Sequence, residues 1–159
     1  MNMRHLKVGA IAAATSCLFA ASAAQASDSV SVTVNATIVG VCKFFTSSPV
    51  INITNAAGGI DPSSATTASG NAAITYRCSN GTSPTFTVPA TATVTCTTSG
   101  SCGTTSMAPT VTSSNTGAGT GLGSGKDQTL TVTGQITQAN FQNMQVGSYQ
   151  GNMTVSVSP

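Results

Sequence analysis

Tryptophan and glutamate are absent from this 159-residue chain, histidine occurs once, and only 5% of the residues are charged. Five Lys/Arg and three Asp build neither a basic patch for nucleic acid nor the charged flanks of a coiled coil. Disorder driven by high net charge is equally unsupported, the formal charge being +2. Even that small excess sits at the start. Arg4 and Lys7 precede an apolar run from Val8 to Ala24, and Ala24-Gln25-Ala26 has the small-x-small form of a signal-peptidase site. Residues 1–26 therefore read as a secretory signal. Cys17 is not taken as a lipoprotein site, because the apolar run continues past it through Leu18 and Phe19.

Beyond residue 26, Lys43, Arg77 and Lys126 balance Asp28, Asp61 and Asp127. No steering field, membrane-binding patch or membrane span is expected of the exported part, and its 133 residues suit one domain. Catalysis finds no material either. His5 lies in the signal, so Ser and Thr are abundant without a His or Glu to act as base. The expectation is no enzyme, no catalytic residue, no metal and no cofactor. The glycine tract Gly117 to Gly125 before Lys126 fails as a phosphate loop, because position 120 is Thr and position 127 is Asp, and it fails the dinucleotide fingerprint as well. It is read as a flexible surface loop. Asn-x-Ser/Thr sequons at Asn35, Asn52, Asn80 and Asn152 are as frequent as chance makes them in so Ser/Thr-rich a chain.

What the chain does have is Thr, Val and four exported cysteines. An even count in an oxidising compartment implies disulfides, with three connectivities open to Cys42, Cys78, Cys96 and Cys102. Cys42 with Cys78 and Cys96 with Cys102 is the favoured pairing. A zinc site is disfavoured by the Cys-x5-Cys spacing and the lack of His. Scarcity of helix formers predicts an all-β domain. Alternation is clearest from Ser29 to Ile38, where Val30, Val32, Val34, Ala36 and Ile38 share one face. At the other end Met153, Val155 and Val157 alternate with Thr154, Ser156 and Ser158. Further strands are expected at Val50 to Ile53, Ala72 to Cys78, Thr85 to Val88, Ala92 to Cys96, Met107 to Thr112 and Gln128 to Thr137. Turns at Gly58-Gly59, Asp61-Pro62, Asn80-Gly81 and Gly100 separate them, a spacing that suits a Greek-key sandwich. Phe44 and Phe45 are assigned to core or strand-end packing.

Three stretches, VTVNATIVGVC (Val32 to Cys42), ITYRCSNGTSP (Ile74 to Pro84) and VGSYQGNMTVSVSP (Val146 to Pro159), carry a family pattern. The chain resembles the spore coat protein U family, which includes the subunits of archaic chaperone-usher pili; Thr97 to Gln128 lies outside the likeness. The resemblance implies an immunoglobulin-like sandwich lacking its last strand, with the acceptor groove beside the terminal strand Met153, Val155 and Val157. It implies residues 27–38 as a donor strand for a neighbouring pilin subunit, ahead of the sandwich domain 39–159. It also implies a periplasmic chaperone and an outer-membrane usher as partners, and a place in a surface fimbria serving adhesion or biofilm formation. The residues agree on one point, since the alternating segment precedes the first cysteine and lies outside the covalently closed part. The alternatives are a self-complete secreted binding module, in which that segment pairs within its own chain, and a coat protein that polymerises without a chaperone.

Overall fold

The computed structural model describes residues 29–98, 102 and 105–159. The signal segment 1–26, residues 27–28 of the donor segment and the Gly100 turn lie outside them. The chain divides into two units, residues 1–36 and 37–159. In the first, residues 29–36 are exposed and form no strand. The strand expected over Ser29–Ile38 is thus corrected: the alternation is there, but a strand exists only where a partner meets its backbone groups, and among the described residues it has none.

The second unit is all-β apart from one helical turn. Its elements are β1 (Cys42–Phe44), β2 (Ala68–Cys78), β3 (Thr85–Thr87), β4 (Val94–Cys96), β5 (Ser106–Met107), β6 (Thr110–Asn115), β7 (Gln128–Ile136), α1 (Gln138–Phe141), β8 (Tyr149–Gln150) and β9 (Ser156–Ser158). One layer is an antiparallel sheet in the order β1-β2-β7-β6. The other is interrupted, β5-β4-β8 and β3-β9, but its two pieces run along the same pair of chain segments: Cys96 faces Tyr149 at one end and Thr85 faces Ser158 at the other. Pro109 separates β5 from β6, so one strand leaves the second layer and enters the first, which is how a sandwich turns a corner. The sequence expectation of one strand over Met107–Thr112 becomes two for that reason, since Pro offers no ladder donor.

Period-two patterning decides which face is core. In β2 and β7 the even-numbered residues Ala68, Ile74, Tyr76, Leu130, Val132 and Ile136 are buried, while Thr129, Thr131 and Thr133 face outward. Two clusters result, one around Tyr76, Leu130 and Val132, the other around Met107, Ile136 and Phe141. Phe44 stacks on Phe86 at 6.3 Å, and Phe45, half exposed, lies 4.3 Å beneath the Arg77 guanidinium, which also pairs with Asp127. Strand-end packing was the right reading of both rings.

The expected strand Val50–Ile53 is a second correction. It runs extended and alternating, with Ile51 and Ile53 half-buried, yet it joins the sheet only through the Thr54–Ser69 bridge. Two glycines admit it. Gly70 and Gly134 face each other across β2 and β7, the Asn52 carbonyl lies where a Gly70 side chain would be, and the Ile53 side chain comes within 3.0 Å of the place of a Gly134 Cβ. Gly70→Ala is expected to lower stability by about 2 kcal/mol in denaturant unfolding, since backbone must move to make room.

The Gly117–Gly125 stretch is a surface loop, as expected, and its first half is anchored to the sandwich. The Gly119 amide donates to the Thr82 carbonyl, the Gly121 amide to the Cys78 carbonyl, and the Tyr76 hydroxyl to the Gly117 carbonyl. A Cβ on buried Gly119 would lie 2.5 Å from that of Cys78. The glycines thus let this loop seat directly on the first disulfide. Gly119→Val is expected to unfold the loop's anchor at a cost of about 3 kcal/mol, read as a lowered melting temperature.

Candidate functional site

The two disulfides are Cys42–Cys78 and Cys96–Cys102. The first fixes β1 to the end of β2. Just before it, the Val41 amide donates to Ser79 Oγ and the Ser79 amide donates to the Val41 carbonyl, so the chain is tied down from residue 41 onward. Upstream, Ile38 and Val39 are 92% and 69% exposed, as are Val30, Val32 and Val34 at 86%, 75% and 86%. Five large apolar side chains in ten residues face water here.

Between the two layers lies an apolar groove of about 510 Å³, floored by Ile74, Val111 and Val132. A second hollow of about 580 Å³ adjoins it around Met107, Phe141 and Met144, sharing Ile53, Val94 and Tyr149 with the first. Two stretches of backbone flank the first groove. On one side residues 49–53 make no backbone hydrogen bond among the described residues; on the other, 151–155 fall between β8 and β9 and belong to no ladder. β8 and β9 each have a strand on one side only. Only Ile51, Ile53, Met153 and Val155 of these stretches are half-buried and the rest are exposed, so both present open edges to which a further strand could hydrogen-bond.

Of the expected acceptor residues, Met153 and Val155 are half-buried and pack against the main core cluster, and Val157 lies in β9 opposite Phe86. The terminal strand expected to be continuous is broken at 151–155, where Gly151 passes over the Thr93 carbonyl too closely for a side chain. The structure brings Met153 and Val155 to the groove and shows Val30, Val32, Val34, Ala36 and Ile38 exposed. Sequence reading expected a strand at Val50–Ile53 but not its seat beside the groove, for which Gly134 inside the expected strand Gln128–Thr137 was a signal, since a glycine within a strand marks a close backbone approach.

No cluster of three metal-ligating side chains occurs among the described residues. Charge chemistry is confined to the periphery. At Asp61, hydrogen bonds from the Ser63 hydroxyl and amide hold the carboxyl below its ordinary value. That contribution to stability is present above the ordinary Asp pKa and disappears as pH falls through the lowered one; in so exposed a loop it is small. The groove itself is uncharged. Among the described residues no helix is long and apolar enough to cross a membrane. Compared with family models, curated proteins and solved structures, the chain gives no match.

Proposed function

We propose that this protein is a structural, non-enzymatic subunit of a chaperone-usher type pilus, exported through the periplasm and polymerised head-to-tail on the cell surface. The sandwich is read as an immunoglobulin-like Greek key lacking its last strand. The observation that carries the reading is a pair of complementary vacancies in one chain: an apolar groove with unpaired backbone on both sides, and an exposed ten-residue segment with apolar side chains on alternate positions. Strand addition joins them, with main-chain hydrogen bonds supplying affinity and alternate side-chain pockets supplying specificity. Val30, Val32, Val34, Ala36 and Ile38 are the donor side chains; Met153 and Val155 line the acceptor groove and Val157 continues the terminal strand beyond it. Before assembly the groove is an aggregation hazard, which a periplasmic chaperone lending a strand removes before the usher delivers the subunit. Adhesion and biofilm formation follow from the fibre.

A synthetic peptide of residues 29–38, added to the assembling full chain, is expected to cap grooves and shorten the polymers in proportion to its concentration. Polymers indifferent to a large excess of the peptide would contradict donor-strand addition.

A further inference from the structure

The donor segment and the terminal strand are nearly the same sequence read in opposite directions. Residues 29–36 read Ser-Val-Ser-Val-Thr-Val-Asn-Ala, and residues 158 back to 151 read Ser-Val-Ser-Val-Thr-Met-Asn-Gly. Six of the eight positions are identical and the other two exchange Val for Met and Ala for Gly. Antiparallel strands are where a reversed match has physical meaning, because opposed residues there run in opposite sequence order.

We infer that the occupant of the β8–β9 edge is a second copy of this chain, its residues 29–36 paired antiparallel with 151–158 in the register that opposes Val30 to Val157, Val32 to Val155, Val34 to Met153 and Ala36 to Gly151. The inference rests on the pilin reading and adds to it the residue-by-residue register. In this register every apolar donor residue meets an inward residue, and Ser31, Thr33 and Asn35 meet Ser156, Thr154 and Asn152 on the opposite face. Matched Thr and Ser pairs hydrogen-bond across strands, and matched Val pairs share apolar surface. A slip of one residue turns the whole apolar face to water; a slip of two keeps the face but loses the like-with-like pairing. Ala36 falls at Gly151, where the Thr93 carbonyl leaves no room for a side chain.

The same register cannot form within one chain. A side chain on Gly40 would lie 3.2 Å from the Pro159 Cβ, so the root of the donor segment sits at the chain's last residue. Continuing the register brings Ile38 opposite Tyr149, and Tyr149 lies ten residues from Pro159 along an extended strand, about 33 Å away. Two residues from Gly40 to Ile38 span about 7 Å at most. Pairing in cis would have to run parallel, and the reversed match would then be meaningless.

Mixing two preparations of the full chain, one carrying Asn35→Cys and the other Asn152→Cys, tests the register, both positions being exposed and polar. Oxidation is expected to link the two preparations about tenfold more completely than it links Asn35→Cys with Gln150→Cys or Thr154→Cys, given the tight geometry of a disulfide. Thr33→Cys with Thr154→Cys repeats the comparison at a second matched pair. Preferential linkage of position 35 to 150 or 154, in fibres that Val34→Asp still abolishes, overturns the register and leaves the pilin reading standing. Absence of linkage at every pair, together with fibres that Val34→Asp does not affect, overturns the pilin reading itself.

Discussion

Val34→Asp abolishes polymerisation and leaves the melting temperature of the sandwich unchanged; that is the expected result for a residue that serves only its neighbour. Val34 is 86% exposed and contributes nothing to either core cluster of its own chain. In the proposed assembly it would be buried beside Met153 in a groove with no charged lining residue, where an unpaired carboxylate costs about 4 kcal/mol, a loss of roughly a thousandfold in affinity. Val32→Asp is expected to behave the same way, and each variant should still be taken up by the chaperone. Thr33→Asp is the control. Its side chain lies on the opposite, wettable face, so fibres are expected to form with little loss. Size distributions of the three variants beside the unsubstituted chain check the prediction; equal, undiminished fibre formation by Val34→Asp and Thr33→Asp contradicts it.

Loss of the Cys42–Cys78 disulfide has the second large effect, and it falls on folding. The bond closes a loop with a sequence separation of 36, worth about 4 kcal/mol on the chain-entropy model, against about 2 kcal/mol for Cys96–Cys102. A domain of this size holds only about 5–15 kcal/mol in all. Here the core is also open to solvent along one edge. Cys78→Ser with Cys42→Ser is therefore expected to leave the subunit largely unfolded at 37 °C, whereas the Cys96/Cys102 pair of serines should lower the melting temperature and preserve the fold. Circular dichroism melts of the two double variants decide between this order and its reverse.

The chain's patterning made the class of fold legible because β-sandwich faces are written in period two. Val155 and Val157, Leu130 and Val132, and the run from Ser29 to Ile38 all show it without help from tertiary structure. The cysteine pairing was only favoured among three, because the short strand that begins at Cys42 and lies beside the end of β2 carries too few residues to show a pattern. What alternation does not reveal is whether a strand finds a partner. Val50–Ile53 and Ser29–Ile38 have the pattern of strands and lack the ladder, for opposite reasons: the first crosses a saddle of two glycines inside its own domain, and the second meets no strand among the described residues. The single turn Gln138–Phe141 was invisible because four residues carry no helical period; its role is to bring Phe141 into the second cluster. The glycine tract was legible as a loop, but composition speaks only of backbone freedom and did not reveal that Gly119 is used for close approach to Cys78.

Completion of the groove by another molecule is tested most directly by the size of the full, oxidised chain after secretion, run on denaturing gels without heating. A ladder of species spaced by one subunit mass is expected, stable until the sample is heated and collapsing then to a single band. A single monomeric species at every protein concentration, with amide protons of residues 50–53 and 151–155 already protected from exchange, would show that the sandwich completes itself and would contradict the proposed assembly.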